Sequence, residues 1–264
     1  MTATDDYLRS RAAEFGPSAT VLDLGCGDGR FVEMLLDDGL NVIGVDVPEA
    51  RTSIEARAAR RPSLNLVSRI SYFTDPETIP LPDNSVDVIL FNTVFEHIVT
   101  LNSTIAELAR ILRPGGKVYT VFPLASAVIE QHCNLPWIHR LQSRKLRLWY
   151  LKVARPFAAR YGSPISLERY LYNHVFYRYE NEMESLFRTR FADVESDAAE
   201  YVRIKAASLI RRGGLRAFVG RFLKANSSAL ARWIHVRHSA AYCLSGPRKF
   251  SRGRVAVHAP GAKG

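Results

Sequence analysis

Apolar residues along this chain come in short blocks, and the block spacing changes period at regular intervals. The run ATVLDLG (19–25) is continuously apolar and closes on glycine, the pattern of a strand buried on both faces. RFVEMLLDDG (30–39) follows with Phe31, Met34 and Leu35 at helical spacing and Gly39 as a stop signal. NVIGVD (41–46) predicts a second strand, and PEARTSIEARAARRP (48–62) a helix held between two prolines. RISYFT (69–74) and SVDVILFN (85–92) predict the third and fourth strands. LNSTIAELARIL (101–112) predicts a helix capped at Asn102 or Ser103 and ended by Pro114, Gly115 and Gly116, and KVYTVFP (117–123) predicts a fifth strand.

Strands that alternate with helices pair in parallel through right-handed crossovers, with helices on both faces. The expected fold is therefore α/β, a doubly wound and mostly parallel sheet. The alternation stops after Pro123. Residues 124–190 are aromatic-rich and predict a largely helical insertion. FADVESD (191–197) and SAAYCLSG (239–246) supply two further strands, for a seven-stranded sheet. Residues 203–236 predict basic helices broken at Gly213 and Gly214, and the last residues a loose end. The expected organisation is a body over 1–200 and a basic helical region over 201–264.

Charge sharpens that division. The net +10 conceals an uneven distribution, because all 26 acidic residues lie at or before Glu200. Residues 201–264 carry 14 of the 36 Lys and Arg and no acid, which leaves the body at −4. Such asymmetry points to an anionic partner: a membrane surface, a nucleic acid or a polyanionic substrate. Leu215, Phe218, Val219 and Phe222 form one helical stripe, extended by Trp233, with Arg216, Arg221 and Lys224 beside it. A basic amphipathic helix of this kind reads as a surface for an anionic membrane over residues 203–236, or as a stripe docked on the body with its arginines in solvent; no RNA-binding module accompanies it, so nucleic acid is the less favoured partner. The first twenty residues hold no signal-peptide core, and no apolar run reaches the ~18 residues of a membrane span. Cys26, Cys133 and Cys243 are few and far apart. The expected location is thus cytoplasmic, peripheral at the membrane face.

The chemistry starts at VLDLGCGDGRF (21–31). Gly25, Gly27 and Gly29 make a loop between strand and helix that lets a ligand approach bare backbone. Dinucleotide sites space their glycines as G-x-G-x-x-G; here the spacing is G-x-G-x-G, and Asp28 within it would repel a pyrophosphate and favour a cation. This segment resembles the first motif of class I S-adenosylmethionine-dependent methyltransferases. GVDVPEA (44–50), the stretch 73–98 and ELARILRPGGKVYTVFP (107–123) are similar to the segments that follow in that family, in the same order. The resemblance covers residues 18–123 and implies a methyltransferase with S-adenosyl-L-methionine as cofactor. It places Asp23, Gly25, Cys26, Gly27 and Gly29 around the methionine part, Asp46 and Val47 at the ribose, Thr74, Asp75 and Pro76 at the adenine, and Asn92 and Thr93 near the departing methyl group, with Glu96 and His97 after them.

A hydroxyl or ammonium acceptor must also lose a proton, and histidine suits that task near neutral pH. His132 and His139 lie in EQHCNLPWIHRL (130–141), just past the fifth strand, and His97 is near the cofactor by position. His132 is favoured because Glu130 and Gln131 make its surroundings polar. His174 lies in an aromatic helix. No H-x-x-x-H or C-x-x-C spacing is present, so no metal site is expected. EQHCNLPWIHRL has a loose likeness to methyltransferases of sugar, lipid and secondary-metabolite pathways. Three functions fit: O- or N-methylation of a small or lipid-linked acceptor, RNA methylation with the basic region on phosphates, and a non-catalytic binding or tethering protein. The first is preferred.

Overall fold

The computed structural model describes residues 2–73, 78–154, 163–211, 213–237 and 239–248. The chain opens with α1 (Ala3–Ala13), which no apolar periodicity announced. Its start is fixed by a capping box: Thr2 accepts from the Asp5 N–H, and Asp5 accepts from the Thr2 N–H. Then come β1 (Thr20–Leu24), α2 (Arg30–Asp37), β2 (Asn41–Asp46), a 3₁₀ turn (Pro48–Ala50), α3 (Arg51–Ala58), β3 (Ile70–Tyr72) and β4 (Val86–Asn92). The helix expected between the two prolines is thus shorter and begins in a 3₁₀ turn. The cap of α4 (Leu101–Ile111) falls two residues before the nearer of its expected caps: Thr100 is the N-cap, and the Ser103 hydroxyl donates back to the Thr100 carbonyl from within the first turn. β5 (Leu112–Phe122) takes in the Pro-Gly-Gly stretch, with an irregular register against β4 between Val86 and Val88.

The insertion is more mixed than the predicted helical block. It holds a two-stranded ribbon, β6 (Ile129–Glu130) and β7 (Leu135–Pro136), then α5 (Arg144–Val153), α6 (Pro164–His174) and α7 (Glu180–Arg188). Its small core of Cys133, Leu135, Ile138, Leu151, Leu167 and Leu171 is separate from the sheet. The carboxylate of Glu168 in α6 ties that unit together, bound by Arg144 and Arg147 of α5. β8 (Phe191–Ser196) follows, then α8 (Ala198–Arg211), α9 (Gly214–Ala225), α10 (Ser227–Arg237) and β9 (Ala240–Pro247).

The sheet has seven strands in the order β3-β2-β1-β4-β5-β9-β8. β1 to β5 run parallel, and β9 is antiparallel to both its neighbours, β5 and β8. The expected doubly wound, seven-stranded α/β fold is therefore present. One face buries Phe91, Phe95, Ile105, Leu108, Phe122 and Phe187; the other buries Tyr7, Leu8, Val32, Leu35, Ile54 and Tyr201. The basic region enters this sheet through β9, so the charge boundary at residue 200 is not a structural boundary.

The basic helices depart from expectation in their start, and they decide between the two readings of the stripe. The first begins at Ala198 rather than 203, although the break at Gly213 and Gly214 is as read; both have positive φ. The stripe of Phe218, Val219 and Phe222 is not the face that docks. α9 meets α8 through its small residues, Ala217 and Gly220: a Cβ at Gly220 would lie 2.7 Å from the Ala206 carbonyl oxygen. Phe218, Val219 and Phe222 keep 65%, 42% and 57% of their surface, and Trp233 keeps 60%. No helix among the described residues is long and apolar enough to cross a membrane.

His235 fastens α10 to the sheet. Its ring stands edge-on to Tyr242 at 4.8 Å, and Nδ1 shares a 3.0 Å hydrogen bond with the Ser196 hydroxyl. Glu180 Oε1 is 3.3 Å from Nε2 but is bound by the Arg232 guanidinium, and Nε2 makes no hydrogen bond. Burial first, and Arg232 second, depress the His235 pKa to about 4, against the weaker pull of Glu184. The unfolded chain, with an ordinary imidazole, binds the extra proton between pH 6.5 and 4, so stability is lost as pH falls through that window. The slope contributed reaches about 1.4 kcal/mol per pH unit. Urea denaturation of His235→Gln across this range is expected to give a shallower dependence on pH; an unchanged slope removes His235 as the sensor.

Candidate functional site

In open α/β sheets ligands bind beyond the carboxyl ends of the strands, and the predicted residues gather there. β1 ends in the glycine loop, where Gly25, Gly27 and Gly29 all have positive φ. Gly25 is the position that admits no side chain: at φ +77° a Cβ would sit 2.5 Å from Val94 Cγ2. Its N–H donates to the Val45 carbonyl at 2.8 Å, which ties the loop to β2. Cys26 is buried, and burial pushes its thiol pKa up, so it acts as an apolar filler in this loop.

Asp46 closes β2. Its carboxylate accepts from the Gly27 N–H at 2.5 Å and the Val47 N–H at 2.7 Å, so it lies across the mouth of the glycine loop. Val47, beside it, is half exposed. Asp23 is buried at the end of β1. Burial, then Asp46 and Asp5, push its pKa to about 7, and Arg30 pulls the other way. Two carboxylates in a partly desolvated cleft make a field that favours a cation. Asp28 does not contribute as the sequence suggested: its carboxylate pairs with Arg57 and caps the Arg30 N–H. The cationic preference arises from Asp23 and Asp46 instead. Thr74, Asp75 and Pro76 lie outside the described residues.

β4 ends at Asn92, and Thr93 follows with φ +52°, a costly conformation for a β-branched residue. The turn is held by Thr93 N–H to the Val121 carbonyl at 2.7 Å and Thr93 Oγ1 to the Asn92 carbonyl at 2.8 Å. It delivers Val94 under Gly25 and leads into a 3₁₀ turn, Phe95–His97. The insertion straps this turn down: the Phe176 N–H donates to the Glu96 carbonyl at 2.6 Å, and Arg178 donates to the carbonyls of Phe95 and Ile98.

Here the structure brings two of the three candidate bases together. His132 Nε2 and His97 Nε2 are 3.3 Å apart, with the rings crossed at 78°. Both outer nitrogens are engaged: His132 Nδ1 with Glu130 Oε1 at 2.6 Å, and His97 Nδ1 with the His174 carbonyl at 2.6 Å. Glu130 is buried among donors, since Tyr177 donates to Oε1 and the Cys133 N–H to Oε2. Burial alone would raise its pKa; the bonds from His132, Cys133 and Tyr177 carry it down to about 2. Burial opposes a charge on His132, yet Glu130 outweighs it and the His132 pKa is raised, whereas burial lowers that of His97. Glu96 is buried, and burial raises it to about 7. His139 stands apart from the pair: its ring leans on Tyr177 at 4.8 Å, and Nε2 meets the Ala125 carbonyl at 3.3 Å. His174 enters through its backbone carbonyl. Glu96, His97 and His132 present ligand-type atoms within 4.8 Å of one another. Sequence spacing missed this group because His97 and His132 lie on different loops, and the adjacent EH pair was its only local trace.

Residues 22–120 match the family described as a methyltransferase domain. An uncharacterized methyltransferase of Mycobacterium bovis is 38% identical over 118 residues, 44% of this chain and 43% of its own length. The ubiquinone biosynthesis O-methyltransferase of Agrobacterium fabrum is 29% identical over 167 residues, 57% of this chain and 64% of its own. The chain thus spans less than two thirds of the length of these curated relatives. Among solved structures, the [4+2]-cyclase SpnF superposes with a TM-score of 0.52 at 16% identity, over 94% of this chain and 82% of that one. A geranyl diphosphate methyltransferase in complex with SAM gives 0.50 at 16%, over 94% and 85%. Over residues 22–120 the chain is thus similar to class I, S-adenosylmethionine-dependent methyltransferase domains. The solved neighbours share its fold, and one of them is a cyclase, so the fold alone does not fix the reaction.

Two outcomes follow from this geometry. Asp46→Ala is expected to abolish measurable S-adenosylmethionine binding in calorimetry, and Gly25→Ala to lower stability by roughly 1–2 kcal/mol through its left-handed backbone and to weaken binding further; unchanged affinity in Asp46→Ala removes the ribose assignment. Because a cation favours the ionised form of Asp23, cofactor binding near pH 7 is expected to release a proton and to tighten from pH 6 to 8. Calorimetry in buffers of different ionisation enthalpy reads this directly, and Asp23→Asn should erase it.

Proposed function

We propose that the protein transfers a methyl group from S-adenosylmethionine to an oxygen or nitrogen of a small, lipid-linked acceptor at an anionic membrane surface. The observation that carries this reading is the Thr93–His97 turn, which joins the cation-favouring cleft of Asp23 and Asp46 to the imidazole pair. Bound in that cleft, the cofactor supplies an electrophilic sulfonium methyl, whose sulfur departs as a neutral thioether. Asp46 would hold the ribose diol, and the bare backbone of the glycine loop would let the amino-acid arm lie close, with Asp23 near its ammonium group. Asn92 and Thr93, at the end of β4, would lie toward the methyl group. His132 Nε2 takes the acceptor proton as the new bond to carbon forms, and Glu130 holds its ring through Nδ1. Alignment of acceptor and methyl supplies roughly 7–11 kcal/mol of the rate enhancement, which leaves little covalent work for the protein.

The lipid-linked acceptor rests on α9. Phe218, Val219 and Phe222 lie bare to solvent beside the exposed Arg216, Arg221 and Lys224, in a region without a single acid. Apolar burial in the interface and about 1 kcal/mol per cation near an anionic leaflet act together there. A cavity of about 440 Å³ lined by His132, Ser166, Leu167 and Tyr170 gives an acceptor room beside the base.

Incubation of the protein with cell lipid extract and with total RNA, each with isotopically labelled cofactor, is expected to label lipid and not RNA. Vesicles rich in anionic lipid should co-sediment the protein, and Phe218→Ser/Phe222→Ser should reduce the bound fraction several-fold. Label in RNA alone, or equal retention of the variant, overturns the membrane reading; cofactor binding with no methyl transferred to any extract favours a non-catalytic binding protein.

A further inference from the structure

The imidazole pair has an electrostatic problem of its own. Each ring gives its Nδ1–H to an oxygen acceptor, Glu130 for His132 and the His174 carbonyl for His97. Each Nε2 then directs a lone pair at the other, 3.3 Å away. Two lone pairs at that distance repel unless a cation, a proton or a metal ion, lies between them. The spacing is informative: two imidazole nitrogens about 2.0–2.1 Å from a tetrahedral zinc ion are about 3.3–3.4 Å apart. An Nδ1–H bound to a carboxylate or carbonyl is also the arrangement that orients metal-bound histidines. Beside the pair, Glu96 is 97% buried by its residual exposure of 3%, and its Oε2 has no hydrogen-bond partner.

We infer that Glu96, His97 and His132 form a binding site for one divalent transition-metal ion of the zinc type, with two imidazoles and one carboxylate as ligands and a fourth position open. The spacing of the two imidazole nitrogens already suits the ion. The carboxylate, within 4.8 Å of both, moves inward to complete the set. The open position takes an oxygen or nitrogen of the acceptor, reached from the cavity beside His132 and Tyr170. That last assignment rests on the methyl-transfer reading, whereas the metal site itself does not. With the ion in place His132 acts as a ligand, and the acceptor loses its proton more readily because the metal stabilises the resulting anion. Neither ligand spacing nor the family resemblance suggested the site. It exists because β4 and the ribbon after β5 deliver their histidines to one point.

The test is a titration of chelator-treated full-length protein with Co²⁺ at pH 7.5, read by its visible absorption bands and by metal analysis after desalting. One equivalent is expected, with the band intensity of a four-coordinate ion. His97→Gln and His132→Gln should each weaken affinity at least tenfold. Glu96→Gln should weaken it too, while His235→Gln, a histidine outside the cluster, should match the wild type. Circular dichroism and cofactor affinity establish that each variant is folded. As a measurement free of substitutions, Co²⁺ should raise the melting temperature of the wild-type protein. Asp46→Ala is expected to lose the cofactor yet keep the metal, so failure of the methyl-transfer reading and failure of the metal site are told apart. A wild-type protein that binds no Co²⁺, or one whose affinity is unchanged in the Glu96 and histidine variants, overturns the site.

Discussion

Val94 packed against the bare Cα of Gly25 is the contact on which the site depends. It fixes the distance between the loop after β1 and the turn after β4. The first of these presents the bare backbone of the glycine loop, and the second supplies the strained Thr93 and, three and four residues on, Glu96 and His97. A methyl group at residue 25 would separate the two, and the cleft and the imidazole pair would lose their common reference. The close approach explains why this glycine needs to be a glycine twice over: its φ of +77° is hostile to a side chain, and Val94 fills the space that one would occupy.

Around that contact the charges are segregated. Asp23 and Asp46 sit on the glycine-loop side, where the loop N–H groups hold Asp46 and burial pushes the Asp23 pKa up. Glu130, Glu96 and the two histidines sit on the side of the insertion. The two carboxylates of that side differ because their partners differ. Glu130 receives three hydrogen bonds and is fixed as an anion, whereas Glu96 Oε2 receives none and is pushed toward neutrality. A fixed anion suits the orientation of an imidazole, and a carboxylate without partners suits a cation still to come.

The basic quarter of the chain belongs to the same construction. β9 lies between β5 and β8, so the helices before it are anchored at both ends to the sheet. α9 rests on α8 through Ala217 and Gly220, and this leaves its phenylalanines outward. Anchored helices with an outward apolar stripe hold a fixed orientation relative to the cleft, so a surface that receives the stripe would meet the active site at one angle.

The order of strands and helices from β1 through Phe122, the sheet type and the glycine loop between β1 and α2 were legible from residues alone. Apolar runs, glycine stops and the G-x-G-x-G spacing are local signals, and the family resemblance rests on the same stretch. α1 had a local signal too, Thr2 with Asp5 three residues on, but its weak apolar periodicity hid it. Other features were decided only in three dimensions. Asp28 looked like a ligand of a cation until Arg57, twenty-nine residues away, proved to neutralise it. The stripe on α9 could equally dock on the body or face outward; the small residues beside it allow a closer helix crossing and took the docking place. His97 and His132 belong to separate loops, and the distance between their nitrogens is set by the parallel order of β4 and β5. Pairings between distant parts of the chain leave no spacing rule in the sequence, because what joins them is the packing of the elements that carry them.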